Sequence, residues 1–276
     1  MTIKTSGKSM TRLLRVLFRL CQAILLLLPA FPAPAAQETG PRIPILLYHR
    51  FGPIAADSMT VTTAVFESHL KYLQEHGYVV IPLRDLVAHR LGKAPPPPDC
   101  SVAIAVDDGH RSVHAEMHPL ILQYRVPVTL FVYPSAISNA SYAMTWEQLR
   151  ELARSGLYDI QSHTYWHPNF KTEKRQRTPQ DYARFADTQL VRAKEKLEKT
   201  LGSPVDMLAW PFGIYDADLM RRAAQAGYVA AFTIERRHTA SADHMLAMPR
   251  YLITDSNRGK AFERLLAGER HCSPTR

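Results

Sequence analysis

The chain has 276 residues, 46% of them hydrophobic, and a formal net charge of +9. The first 36 residues carry Lys4, Lys8, Arg12, Arg15 and Arg19 and no acid, so removing them lowers the charge to +4. A mildly basic chain without an Arg-aromatic repeat gives no case for nucleic-acid binding. The same segment continues into an apolar stretch through Leu25–Leu28 and a Pro-Ala end at Ala35-Ala36, the pattern of a secretory signal peptide cleaved after Ala35 or Ala36. An uncleaved anchor is the alternative, against which Arg19 and the Pro-rich end weigh, and Cys21 lacks the small residues that precede a lipidated cysteine. The mature chain, residues 37–276, is expected to be periplasmic or secreted and monomeric, with one core and no second domain. Cys100 and Cys272 remain after processing, either joined in one disulfide or as two free thiols.

From residue 45 onward, strand and helix patterns alternate. Ile45–His49 reads as a strand. Val65–His76 reads as an amphipathic helix opened by Thr62 or Thr63 and stopped by Gly77. Tyr78–Ile81 is a strand, Leu83–Leu91 a short helix, and Pro95–Pro98 a stiff connector that cannot join a sheet. Ser101–Val106, Val128–Tyr133, Tyr158–Ser162, Val205–Trp210 and Val229–Ile234 continue the strand series. Pro179–Leu201 is the longest helix between them, and Thr145 with Gln148 predicts a capping box on the helix that ends at Gly156. Alternation of this kind means an α/β protein with a parallel sheet, and polar residues at several strand ends favour a barrel over an open sheet.

Two clusters carry chemistry. Asp107-Asp108 closes the apolar run Ser101–Val106 and precedes Gly109. Adjacent residues at a strand end point in different directions, so one carboxylate can hold an ion while the other handles a proton. Taken alone, an Asp-Gly step is commonly just a turn. His163 and His167 lie four residues apart after another apolar run, and with one carboxylate they make a three-ligand set that leaves a position open for water. His110, His114 and His118 repeat that spacing, but they fall where a helix follows the strand and read more simply as a solvated or satisfied face.

Taken together, Val106-Asp107-Asp108-Gly109, His163-Thr164-Tyr165-Trp166-His167 and Ala209-Trp210-Pro211-Phe212-Gly213 resemble, in order, three motifs of the polysaccharide deacetylase (NodB-homology, carbohydrate esterase family 4) superfamily. The resemblance runs over roughly residues 43 to 255 and takes in the helix Met144–Leu152. Tyr48-His49 on the first strand and a third motif without its Arg make it resemble most the exported poly-β-1,6-N-acetylglucosamine deacetylases of biofilm formation. The resemblance implies a distorted, incomplete (β/α) barrel of the NodB-homology type. It implies Asp108, His163 and His167 as ligands of a divalent ion, zinc first, with nickel, cobalt or iron also fitting. It further implies Asp107 as general base, the backbone N–H of Phe212 as an oxyanion donor, and His49 as the acid that protonates the departing amine.

His49 stands in for the Leu-x-His motif of most relatives, which is not visible after residue 213; without the resemblance, a histidine closing a strand is structural. Ala209 occupies the place of the third-motif Arg that orients the base, and Arg250 could supply that charge, although a surface Arg is the default reading. Trp210, Tyr165 and Trp166 are expected near the mouth as stacking faces for sugar, as core packing would also explain, and His110 as a further sugar contact. The expected function is metal-dependent hydrolysis of N-acetyl groups on an extracellular N-acetylglucosamine polymer, with export machinery as a partner. The alternatives are an O-acetyl esterase of xylan or another glycan, a peptidoglycan deacetylase, and a non-catalytic glycan-binding module. Retention of both Asp and both His argues against the last.

Overall fold

The computed structural model describes residues 42–267, so the signal segment, Cys21 and Cys272 lie outside the described residues. The strands are β1 (Ile45–Tyr48), β2 (Arg50–Gly52), β3 (Thr60–Thr62), β4 (Val79–Val80), β5 (Ser101–Asp108), β6 (Val128–Val132), β7 (Tyr158–Ser162), β8 (Met207–Ala209), β9 (Ala230–Phe232) and β10 (Tyr251–Leu252). Between them run α1 (Thr63–Glu75), α2 (Leu83–Arg90), α3 (His118–Tyr124), α4 (Trp146–Arg154), α5 (Phe170–Gln176), α6 (Pro179–Leu201) and α7 (Ala217–Gln225), with α8 (Lys260–Leu266) after the last strand.

Side-chain caps set several of these boundaries. Thr62 caps α1 by accepting from Val65 N, and Thr145 with Gln148 makes the expected reciprocal box on α4. Helix α6 begins at Pro179 behind the cap Thr178 and ends at Gly202, whose φ of 73° suits glycine. Among the described residues, no helix is long and apolar enough to cross a membrane.

All pairings in the main sheet are parallel, in the order β10-β1-β5-β6-β7-β8-β9, with β4 also on β5. β2 and β3 form a separate short pair that the sequence reading did not foresee. The sheet curls into an incomplete barrel. Its two edges approach at one parallel bridge, Phe232 to Met248, where Met248 N donates to Ala231 O and Thr233 N to Met248 O, each at 2.8 Å. Residues 249–252 then continue into β10, which pairs with β1.

Strand periodicity divides the core into two parts. On β5, Val102, Ile104 and Val106 pack outward against the helices, whereas Ala103 and Ala105 join Ile43, Ile45, Phe131, Met207, Phe232 and Met248 inside the curl. Both faces are covered, which is why β5 reads as an unbroken apolar run. Asp107 continues the inward set, so its carboxylate enters the barrel, while Asp108 ends the strand at the rim.

Candidate active site

Asp107 is 2% exposed and faces Arg250, which is fully buried. The guanidinium forks onto the carboxylate, NH1 to Oδ1 and NH2 to Oδ2, both at 2.8 Å, and its Nε donates to Thr233 O at 3.0 Å. Bidentate pairing of this kind combines charge with fixed orientation. Arg250 is therefore neither a surface residue nor positioned to touch a substrate; it lies just before β10 and reaches Asp107 inside the curl. Burial alone would raise the Asp107 carboxyl, but the charges of Arg250 and of the His163 side hold it down at about 2.

Asp108, His163 and His167 converge so that one ligand atom from each lies within 4.8 Å of the others. Asp108 Oδ1 is 3.6 Å from Nε2 of both histidines. His163 donates Nδ1–H to Ala209 O at 2.8 Å, which leaves Nε2 as a bare lone pair facing the carboxylates. Burial holds its imidazole down at about 3, so the ring is neutral. Lone pairs and a carboxylate oxygen that face one another beyond hydrogen-bond distance have no proton to share. Such a donor set fits a divalent cation, and the Ala209 carbonyl fixes the His163 tautomer that turns Nε2 toward it.

The backbone here is strained. Among the described residues seven non-glycine positions have positive φ, and four of them, Asp108 (76°), Thr164 (64°), His167 (64°) and Phe212 (56°), surround the cluster. Such conformations persist only where surrounding structure enforces them, and they concentrate at functional sites.

His49 follows β1, is mostly buried, and has an Nδ1 without a hydrogen-bond partner. Burial lowers its pKa, while the two aspartates oppose that shift. Strand alternation sends the preceding Tyr48 the other way, where its hydroxyl donates to His69 Nδ1 at 3.0 Å.

These groups open into a cavity of about 660 Å³ that also includes Arg50, Met59, His110, Tyr133, Tyr142, Trp210, Phe212, Ile234 and Leu252. The structure thus brings together His49, Asp107, Asp108, His110, His163, His167 and Phe212, whose exposed ring meets His167 edge-on with centroids 4.6 Å apart.

Of the expected sugar contacts, two lie outside this cavity and one is sunk in its floor. Trp210 is fully buried in the cavity floor with Nε1 donating to Leu246 O, so it is not at the mouth. Tyr165 lies beneath Arg192 in a separate cavity of about 210 Å³. Trp166 is half-exposed and leans on Phe185, outside the main cavity. His114 and His118 point away, to Glu151 and Tyr158 respectively. Arg50, Tyr133 and Tyr142 were missed from sequence. Tyr133 immediately follows β6, a strand-end position that could have flagged it.

The polysaccharide deacetylase family model matches residues 94–231. The poly-β-1,6-N-acetyl-D-glucosamine N-deacetylase of Escherichia coli K12 is 25% identical over 266 residues, a match covering 83% of this chain and 39% of that longer protein. The Staphylococcus aureus MRSA252 protein of the same name is 23% identical over 212 residues, covering 75% of this chain and 71% of that one. The fold is also that of the Streptococcus pyogenes deacetylase PplD in complex with acetate, with a TM-score of 0.74 at 21% identity, covering 83% of this chain and all of that one. A match over half of the chain, an Asp-His-His cluster and a curled parallel sheet agree: the chain belongs to the polysaccharide deacetylase family and is a deacetylase hydrolase.

Proposed function

We propose that this protein removes N-acetyl groups from an extracellular polymer containing N-acetylglucosamine, probed most directly with the β-1,6-linked form, and releases acetate. The observation that carries the reading is the buried, ionised Asp107 held by Arg250 beside the Asp108-His163-His167 cluster at the base of an open cavity. The names of the E. coli and S. aureus relatives supply the polymer. The expected secretory segment places the enzyme in the periplasm or outside the cell, where export and biofilm machinery would be its partners.

Asp108, His163 and His167 would hold a divalent ion, with zinc first. When bound, that ion polarises an acetyl carbonyl and lowers the pKa of water. Asp107, fixed by Arg250 with its Oδ2 3.7 Å from His163, takes the proton of the attacking water. The Phe212 N–H, on the strained turn beside His167, stabilises the oxyanion. His49 delivers the proton that the departing amine requires. Burial lowers its pKa, and the two aspartates beside it oppose that shift.

The test is acetate release by purified mature protein from a β-1,6-linked N-acetylglucosamine oligomer, after metal stripping and again after reconstitution with zinc. Release that returns with zinc and is absent in Asp107→Asn supports the reading. Release only from acetylated xylan or an aryl acetate overturns the N-acetyl assignment in favour of an esterase.

A further inference from the structure

We infer that His110 and Tyr142 form a sugar-recognition subsite at the rim of the cavity, holding one hexosamine ring of the polymer through a neutral imidazole N–H and an aromatic face. This rests on the polymer reading proposed above.

The two residues are built as a unit. Arg111 N donates to Tyr142 O at 2.8 Å and Met144 N to Gly109 O at 3.0 Å, with His110 opposite Ala143 in an antiparallel bridge. This short ladder sets the two rings within 9° of parallel, centroids 6.4 Å apart. Tyr142 is 44% exposed, yet its hydroxyl is tied to that of Tyr133 at 2.9 Å, and Tyr133 in turn lies 5.3 Å from the His167 ring. A large aromatic face kept near solvent and fixed at its polar tip is ready to receive the apolar face of a pyranose without further ordering.

The His110 tautomer is fixed by its neighbours. Ser112 N donates to His110 Nδ1 at 3.2 Å. Ser112 Oγ is filled on one side by Phe51 N at 2.9 Å and turns its own hydrogen to Nδ1 at 2.8 Å. Nδ1 is thus an acceptor, and the ring proton sits on Nε2. Capping of the Ser112 turn accounts for Nδ1 only. Among the described residues nothing accepts from Nε2, and the ring lines the cavity. A neutral N–H donor beside a tyrosine face suits an acceptor oxygen of an uncharged sugar, a hydroxyl or an acetamide carbonyl. Neither side chain belongs to the Asp-His-His cluster; both would touch the sugar ring and not the reacting acetyl group.

The experiment compares a short β-1,6-linked N-acetylglucosamine oligomer with p-nitrophenyl acetate, which is too small to span the rim. His110→Ala and Tyr142→Ala should each raise KM for the oligomer about tenfold, as expected for one hydrogen bond or one stacking face, with kcat within about twofold. Hydrolysis of p-nitrophenyl acetate should not change. His110→Gln, which keeps a donor near the Nε2 position, and Tyr142→Phe should recover most of the loss. An unchanged oligomer KM, or equal losses on both substrates, overturns the subsite.

Calorimetric binding of the oligomer to Asp107→Asn, with and without His110→Ala, separates this from the functional reading. If wild-type protein releases no acetate but the oligomer binds Asp107→Asn and His110→Ala weakens that binding, the subsite stands and the N-deacetylase reading falls. If acetate is released but His110→Ala changes neither KM nor binding, the reverse holds.

Discussion

Arg250 meets Asp107 across 143 residues of sequence, fork to fork, with the guanidinium fully buried behind a carboxylate that lines the cavity. The charge that orients Asp107 comes from the segment that closes the barrel. Arg250→Ala would leave a buried carboxylate without its partner, an arrangement that typically costs about 3–5 kcal/mol. Thermal unfolding should show that loss. The acidic limb of kcat/KM should also move upward by about two pH units as Asp107 leaves its depressed value of about 2. Arg250→Lys should keep most of the stability and lose activity, because one ammonium cannot replace two parallel N–H bonds.

Zinc added to metal-stripped protein should raise Tm, since an ion that binds only the folded state stabilises it by about 2.7 kcal/mol at a hundredfold excess over Kd. Asp108→Ala and His163→Ala should abolish the rise, whereas Asp107→Asn should keep most of it. An equal loss in all three variants would remove the division of labour between the adjacent aspartates.

Replacing His49 should separate two chemistries. An amine must be protonated to leave and a phenolate need not be. His49→Ala should therefore lower kcat by about a hundredfold or more on an N-acetyl oligomer and by much less on p-nitrophenyl acetate. Equal effects on both would return His49 to a structural role.

Acid stability should follow His69. Its ring is stacked on Phe262 with centroids 3.9 Å apart, accepts from Tyr48 and donates to Asn257 O at 2.5 Å, an arrangement satisfied only when the imidazole is neutral. Burial, partly offset by Asn257 and Asp255, lowers its pKa from 6.5 to about 4. The unfolded chain therefore takes up this proton first as pH falls. The contribution is complete above about pH 6.5 and is lost down to about pH 4, roughly 3 kcal/mol at about 1.36 kcal/mol per pH unit. Unfolding midpoints measured between pH 7.5 and 4.5 should fall less steeply in His69→Gln than in wild-type protein.

Much of this was legible because it is local. Strand β5 announced itself as an apolar run ending in two acids, the capping box of α4 lies in Thr145 and Gln148, and the boundaries of α6 are written in Pro179 and Gly202. The grouping of Asp108 with His163 and His167 came through family motifs, since spacing could not separate that pair from His110, His114 and His118. What escaped depends on distant partners. Nothing near Arg250 distinguishes a barrel-closing guanidinium from a surface one; only the curl of the sheet delivers it to Asp107. Aromatic residues misled for a related reason. Trp210 and Tyr165 sit in motif segments, yet the turn directions after β8 and β7 send one into the core and the other beneath Arg192, while Tyr142, outside every motif, is carried to the rim by its pairing with Gly109–Arg111.

The two edges of the sheet touch at Phe232 and Met248, two residues before Arg250. That placement makes the seam an assembly checkpoint. A chain that has folded only through β9 already holds both aspartates and both histidines, but Asp107 faces a barrel that is still open. The Asp107–Arg250 pair therefore forms only when the segment entering β10 docks, and a chain clipped before Met248 keeps the Asp108-His163-His167 cluster while Asp107 lacks its guanidinium.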